Sequence, residues 1–342
     1  MEEKPKVNIV IINYNGWEDT LECLESVLRL DYINFQIIVV DNASTNNSFI
    51  YLRNWADGNL NVFLPSSNTL RSKSFPPYTK PVKYQEIQQN EIYNERPQFQ
   101  SKCLFLINSS VNGGFAAGNN IGIRFSLQFI ELDYIWLLNN DTVVDKDSLT
   151  HLVRHYQNNK KDKIGLIGSK LLHYHNPHVI QAIGGSYNHV LGTVKQYGAN
   201  LSHDIEPDGI KLSKIDFVVG ASMFLPVEFV KEVGFMSEDY FLYFEELDWV
   251  HRGKSLGWNV DFCLSSCVYH KEGASTGSTS KNGKSFIADY YDLKNRIVFT
   301  KRFYPNYRFT VFAGFIPVLI KRVLRGQFDR VGKIIKLVWE MR

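Results

Sequence analysis

Residues 134–142 read Y-I-W-L-L-N-N-D-T. A short apolar run bounded by polar turn formers reads as a buried strand, and this one stops in Asn139, Asn140 and Asp141. Open α/β sheets bind ligands just beyond the carboxyl ends of their strands, so the stretch predicts Asp141 at the mouth of a crevice. A carboxylate there is a hard oxygen donor suited to Mg2+ or Mn2+, ions that share their coordination sphere with substrate phosphates. Taken alone, the stretch is better explained as a strand closed by an Asx-turn. The rest of the chain decides between the two.

Upstream, V-N-I-V-I-I (7–12) and Q-I-I-V-V (36–40) are apolar runs that end in Asn13-Tyr14-Asn15-Gly16 and Asp41-Asn42-Ala43-Ser44. Between them Trp17, Leu21, Leu24 and Leu28 recur at helical spacing, with Glu18, Asp19 and Glu22 in the first turns, where carboxylates suit the helix dipole. Strand, helix, strand at this spacing is a βαβ unit, which predicts an α/β fold with a mostly parallel, doubly wound sheet. Asp41 then stands at a second strand end. A third strand, C-L-F-L-I-N (103–108), leads into V-N-G-G-F-A-A-G-N-N (111–120), which opens a helix. Glycines there let a ligand approach the backbone, and the helix amino terminus offers N–H groups to an anion. Helix packing explains the same glycines about equally well. Gly113, Gly114 and Gly118 do not have the G-x-G-x-x-G spacing of a dinucleotide site.

Downstream, a helix around Ser148–Tyr156 and a strand over 164–168 precede an irregular stretch, 170–213, read as hairpins shaping a substrate pocket. His173, His175 and His178 lack accompanying cysteines or carboxylates, and Pro177 marks a loop rather than a zinc site. Residues 215–225 read as one long apolar strand. The segment E-D-Y-F-L-Y-F-E-E-L-D-W-V-H-R (238–252) puts Glu245, Glu246 and Asp248 at the start of a helix. Crowding in a closed cleft raises carboxyl pKa values, which suits a general base. Acidic residues in a first turn also simply complement the dipole, but Tyr240, Phe241, Tyr243, Phe244 and Trp249 would be odd company for a solvated cluster. Residues 258–262 and 267–269 read as two short strands, with Cys263 and Cys267 as packed thiols on one face. The second strand ends in His270, whose neutral imidazole suits a divalent ion. Residues 271–285 read as a mobile loop or lid that, with Lys271, Lys281 and Lys284 beside it, could close over phosphates.

The chain has 342 residues, 44% hydrophobic, enough for one large or two modest domains. Its four cysteines form no C-x-x-C pair and no apolar signal segment precedes the first strand, which predicts a reduced, cytoplasmic setting. The net charge of +3 is uneven: residues 301–342 carry ten Lys/Arg against two Asp/Glu. A slightly acidic body disfavours nucleic acid as a partner. No apolar run reaches the roughly 18 to 20 residues needed to span a bilayer. In the tail, Ile316, Leu319, Ile320, Val323, Phe328, Val331, Ile334, Ile335 and Val338 are opposed by Lys321, Arg322, Arg325, Lys333 and Lys336, with a break at Gly326. That pattern suits peripheral contact with an anionic membrane face, here the inner face of the cell membrane, or packing on protein. The Pro-rich stretch 65–102 reads as an insertion or long loop.

In order, V-N-I-V-I-I-N-Y-N-G, I-I-V-V-D-N-A-S-T-N-N-S, N-G-G-F-A-A-G-N-N-I-G, W-L-L-N-N-D-T, Y-F-L-Y-F-E-E-L-D-W-V-H-R and V-Y-H-K-E-G-A-S-T-G resemble the family 2 glycosyltransferases. The rhamnosyltransferase-like branch of bacterial surface-polysaccharide synthesis is the nearest in appearance. The resemblance implies a GT-A fold over residues 1–300, with 301–342 as a helical tail, and an inverting transfer from a nucleotide-diphosphate sugar to a glycan or lipid-linked acceptor. For the branch the donor is dTDP-L-rhamnose; UDP-hexose or UDP-N-acetylhexosamine users share every motif quoted. The resemblance further implies that Asn13, Tyr14, Asp41 and Asn42 line the nucleoside pocket. Asn112, Gly113, Gly114, Phe115 and Asn119 would support nucleotide and phosphate, with Asn140 beside them and Arg252 and Lys284 helping the diphosphate. Asp141, Asn139 and His270 would hold Mg2+ or Mn2+, and Glu246 would be the base, with Glu245 its competitor and Asp248 close by. Two departures stand out: Asn139 replaces the first carboxylate of the D-x-D metal motif, and Glu246 stands where the family usually has Asp. A catalytically silent sugar-nucleotide-binding module is the alternative of another class.

Overall fold

A computed structural model describes residues 4–94, 97–205, 215–272 and 285–341. Lys281 and Lys284, with most of the expected 271–285 loop, lie outside the described residues. The first half of the chain runs β1 (Val7–Asn13), α1 (Trp17–Val27), β2 (Phe35–Asp41), α2 (Ser48–Asp57), α3 (Arg71–Ser74), β3 (Tyr84–Gln88), β4 (Leu104–Asn108), α4 (Gly114–Ser126) and β5 (Tyr134–Asn139). It continues with β6 (Thr142–Val144), α5 (Ser148–Asn158), β7 (Ile164–His173), β8 (Asn176–Ala182), β9 (Gly184–Asn188), β10 (Thr193–Tyr197) and β11 (Ser222–Pro226). The remainder is α6 (Val227–Val233), α7 (Glu245–Ser255), β12 (Asn259–His270), α8 (Phe286–Phe303), α9 (Arg308–Ala313), α10 (Phe315–Leu324) and α11 (Phe328–Glu340).

The main sheet has the order β3-β4-β2-β1-β5-β11-β7-β12-β6, with β8 paired to β7. From β3 to β5 every pairing is parallel, as the βαβ reading predicts. Beyond β5 the sheet is mixed: β11 runs antiparallel to both β5 and β7, and β6 antiparallel to β12. Both faces are covered, which is why the strands are continuous apolar runs rather than alternating ones. Ile9, Ile11 and Trp136 pack towards α1, α2 and α5. Val10, Ile38, Val40 and Leu137 pack towards α4, α6 and α7. Because β1, β2, β4, β5, β7 and β12 all point the same way, Asn13, Asp41, Asn108, Asn139 and His270 end along one edge.

Several elements differ from the sequence reading. Residues 65–102 are more than a loop: Ile87 buries its side chain as β3 adds to the sheet edge, a strand too short and too polar to stand out. The long strand expected over 215–225 shrinks to β11, because a turn at Gly220–Ala221 breaks it. The two strands expected around 258–269 are one, β12. A bulge there pairs Cys263 with Ser169 and Cys267 with Lys170, so three residues are absorbed without a partner. Cys263 and Cys267 therefore face opposite sides of the sheet and join different core clusters. The expected boundary at residue 300 falls inside α8. The tail itself is helical, broken at Gly326, which adopts φ +68° between α10 and α11.

Candidate functional site

Among the residues expected to line the nucleoside pocket, Asn13 and Asp41 are locked together. Asn13 Nδ2 donates to Asp41 Oδ1 at 2.5 Å and to Ser44 Oγ at 3.1 Å, while Asn13 Oδ1 accepts from Gly16 N and Thr20 Oγ1. Ser44 Oγ donates back to Asp41 Oδ1 at 2.6 Å. Asp41 is thereby oriented at the end of β2, in a buried position. Asn140 Nδ2 bonds Gly16 O and Thr20 Oγ1, which makes it a brace between the β5 end and α1. Tyr14, half-buried, lies in the same turn.

The glycine-rich turn is built around contacts as close as its residues suggest. Asn42 Nδ2 donates to Asn112 Oδ1 and Gly114 O, and Asn112 Oδ1 accepts from Gly114 N. Gly114 has φ +87°, and a Cβ there would lie 2.3 Å from Phe241 O. Only glycine fits so near that backbone. Phe115 N donates to Phe241 O at 2.9 Å, so the turn is fastened to the segment leading into α7. Gly113 precedes the helix as its cap residue, and Asn119 Nδ2 bonds Phe115 O one helical turn back.

At the β5 end, Asp141 Oδ1 lies 3.2 Å from His270 Nε2. His270 Nδ1 donates to Gln181 Oε1 at 2.9 Å, and the protonated ring pairs with Asp141 through Nε2; the same nitrogen, once deprotonated, is the one aimed at the point beside Asp141 where a cation would sit. Burial pushes the Asp141 carboxyl up, but the charged His270 imidazole and its hydrogen bond, a backbone hydrogen bond and the charge of Lys271 together hold it below its ordinary value. Asn139 sits at the last position of β5, half-buried beside them. An oriented imidazole nitrogen and a carboxylate oxygen fit a divalent cation that takes its remaining ligands from diphosphate and water. Among the described residues no three His, Cys, Asp or Glu side chains gather around a common point, so the donor set is two strong ligands and a neutral amide. Lys271, read as a phosphate-side lysine, is instead paired with Asp19 at 2.5 Å and Glu22 at 2.6 Å of α1.

The carboxyl cluster at the start of α7 separates into two pairs of roles. Tyr243 (φ +70°) and Phe244 (φ +77°) precede it, two consecutive left-handed residues that are not glycine. Such residues cost of order 1–3 kcal/mol each and persist only where the surroundings over-determine them. Glu245 and Glu246 project from this turn with Oε2 atoms buried and unpaired among the described residues. Burial raises the Glu246 carboxyl to about 7. Burial and then the charge of Glu246 raise Glu245 well above its ordinary value. Asp248, by contrast, is fully buried and bonded to Tyr240 Oη, Arg252 and Arg302. Arg252 gives its remaining nitrogens to Val233 O and Phe235 O, both at 2.7 Å. Asp248 and Arg252 thus join α6, α7 and α8 rather than opening onto the crevice.

Residues 8–72 match the family model described as Glycosyl transferase family 2. The low-salt glycan biosynthesis hexosyltransferase Agl10 of Haloferax volcanii is 22% identical over 194 residues, 56% of this chain and 58% of that protein, so the chain spans a little over half the length of this relative. Two solved structures share the architecture at low identity. A mannosyltransferase, PcManGT from Pyrobaculum calidifontis in complex with GDP-Man and Mn2+, aligns at TM-score 0.51 and 11% identity, covering 99% of this chain and 85% of its own. GalNAc-T7 with UDP, GalNAc and Mn2+ aligns at TM-score 0.55 and 14% identity, covering 90% of this chain and 50% of its own. The fold is GT-A, a mostly parallel sheet flanked by helices on both faces.

Two residues of the site carried no signal in the sequence. Gln181 lies in β8, inside the stretch read only as hairpins, and Asn295 lies in α8. Neither falls in a recognisable motif, and each matters through one contact that the fold creates.

Proposed function

We propose that the chain is an inverting, metal-dependent family 2 glycosyltransferase that moves a sugar from a nucleotide-diphosphate donor to a hydroxyl of a glycan or lipid-linked acceptor. The observation that carries the reading is a carboxyl poised to ionise near neutrality, Glu246, on a turn fastened to the Gly113–Phe115 loop at the edge that holds Asp141 and His270. The glycosyl transferase family 2 match, the hexosyltransferase relative and the nucleotide-sugar and Mn2+ ligands of the fold neighbours support it.

The locked Asn13–Asp41–Ser44 group accepts the nucleobase, and the Asn112–Phe115 turn lies along the sugar and phosphates. Asp141 and His270 are the residues that would hold the divalent ion. When bound, the ion neutralises the charge of the leaving nucleoside diphosphate. Glu246, ionised, takes the proton of the acceptor hydroxyl as that oxygen forms its bond to the anomeric carbon and the bond from that carbon to the diphosphate breaks. Glu245 is the competing candidate for base, its carboxyl held well above its ordinary value by burial and then by the charge of Glu246.

The branch resemblance favours dTDP-L-rhamnose as donor, while the two fold neighbours hold GDP-Man and UDP, so the panel below includes all three nucleotides. The tail is proposed as a peripheral membrane contact. Val311, Phe315, Ile334 and Leu337 pack on Leu293 and Ile297 of α8, leaving Ile316, Ile320, Val323, Leu324, Phe328, Ile335 and Trp339 exposed in a strongly basic segment. No described helix is long and apolar enough to cross a membrane.

The test is a panel of dTDP-L-rhamnose, UDP-glucose, UDP-N-acetylglucosamine and GDP-mannose with Mn2+, read by thermal shift and by release of nucleoside diphosphate. A donor that both stabilises the protein and is turned over supports the reading. Stabilisation without any turnover, with acceptor mixtures supplied, would establish a silent binding module instead.

A further inference from the structure

Helix α8 reaches the carboxyl turn through one buried side chain. Asn295 is fully buried, and its Nδ2 donates to Leu242 O at 2.7 Å and to Tyr243 O at 2.9 Å. These are the carbonyls immediately before the two left-handed residues, Tyr243 and Phe244, and the helix α7 begins at the next position. Asn295 Oδ1 has no partner among the described residues, so the side chain is held in place through its amide nitrogen alone. One turn along α8, Phe299 packs against Phe244 at a centroid distance of 5.7 Å, and Tyr187 closes on both rings. An unfavourable backbone conformation, two carbonyls aimed inward, and a single forked donor that satisfies both form one unit.

We propose that Asn295 is a positioning residue for the carboxyl pair: by holding the carbonyls of Leu242 and Tyr243 it fixes the left-handed turn that aims Glu245 and Glu246 into the crevice. The inference rests on the reading of Glu246 as base, but the clamp itself does not. Without the donor, two buried carbonyls lose their partner and the left-handed pair loses the contact that offsets its cost. The backbone then relaxes to ordinary angles, and the first turn of α7 rotates the carboxyls away from the acceptor hydroxyl. Donor binding, which belongs to the Asn13–Asp41 group and the glycine-rich turn, is left in place.

The test uses the full chain as wild type, N295D, N295A and T300V. Aspartate keeps the shape of asparagine and removes the donor. Thr300 lies on the same helix and bonds Arg296 O and, at 3.4 Å, Tyr187 Oη, but not the carbonyls of the turn, so T300V reports loosening of α8 and of the rings beside the turn with the Asn295 bonds kept. Amide exchange over residues 241–248 needs no ligand. N295D and N295A are expected to exchange there about tenfold faster or more, since two hydrogen bonds are lost, with T300V unchanged. In steady state, with Mn2+ and whichever of the four panel donors the wild type turns over, kcat is expected to fall about 10²-fold for a misplaced reacting group while donor KM stays within about twofold. N295D with wild-type exchange over 241–248, or with wild-type kcat, overturns the proposal. If N295D fails to fold by circular dichroism, N295A carries both arms under the same criteria. If the wild type turns over no donor, the transferase reading falls, and the exchange arm still decides whether Asn295 holds the turn.

Discussion

His270 Nε2 and Asp141 Oδ1 face each other at 3.2 Å across the join between the end of β12 and the end of β5. The two residues are far apart in sequence and meet because β6, which directly follows Asp141, pairs antiparallel with the end of β12, setting His270 opposite Thr142. Neither is a metal ligand by residue type alone. Together, with the imidazole oriented by Gln181, they are the donor pair proposed for the metal.

The orienting bond gives the first prediction. Replacing Gln181 with Leu removes the acceptor for His270 Nδ1 without touching either ligand. Loss of such an outer partner weakens metal binding by about 10–100-fold. Titration of Mn2+ in the presence of UDP should show that loss for Q181L and no measurable site for D141N. Wild-type affinity in Q181L would show that the imidazole is held by other means.

A second prediction concerns pH. Glu246 ionises at about 7, raised by burial, so kcat/KM should climb as pH rises through that value and level off above it. E246Q should abolish transfer at every pH while leaving donor binding, read by thermal shift, nearly intact. E245Q should keep activity, with its rising limb still governed by Glu246. A flat profile in wild type between pH 5.5 and 8 would remove Glu246 from the role.

The same carboxyl has a cost in stability, and its sign can be worked out. The folded-state pKa of about 7 stands above the ordinary 4.5, so the folded protein binds the proton more tightly than the unfolded chain does. Below about 4.5 the group costs nothing; the penalty grows through the window to about 7 and is complete above it, reaching about 3 kcal/mol for a shift of this size. E246Q should therefore be more stable than wild type in urea at pH 8, with the gain shrinking as pH falls towards 5. An E246Q protein no more stable than wild type at pH 8 would mean that the carboxylate has partners in solution.

The tail yields the fourth. Removing residues 315–342 would strip Phe315, Ile334 and Leu337 from α8 and damage the fold, so truncation is a poor probe of membrane contact. L324E and W339E change two exposed side chains instead. Full-length protein should sediment with vesicles containing anionic lipid and remain in solution with neutral ones, and the double variant should lose at least half of the bound fraction. Equal sedimentation of the double variant with anionic vesicles would place the contact elsewhere.

Much of this arrangement is legible in the residues. The apolar runs ending in Asn13, Asp41 and Asn139 mark strand ends, and a βαβ unit forces those ends to one edge. The positions of Asp41, Asp141 and His270 at that edge follow, while Glu246, on α7, is brought towards it only by the contact between Phe115 N and Phe241 O. What could not be read depends on contacts between distant segments. Arg252 looks available for phosphate until Asp248, Val233 O and Phe235 O absorb its donors. Asp248 looks like a third carboxyl of a catalytic cluster until its bonds to Arg302 and Tyr240 are seen. Lys271 looks like part of a phosphate lid until α1 presents Asp19 and Glu22 to it. In each case the sequence shows a charge, and only the fold shows where that charge is spent.

The bulge in β12 has a consequence best expressed as register. With Cys263 opposite Ser169, an unbroken strand would set Cys267 opposite His173; absorbing three residues brings His270 there instead, level with Thr142 and so beside Asp141. The bulge therefore draws the imidazole back along the sheet by three residues, about 10 Å at the rise of a strand. The site depends on a count, and a length change between Cys263 and Cys267, unlike a substitution there, alters how far along the sheet edge the last residue of β12 reaches.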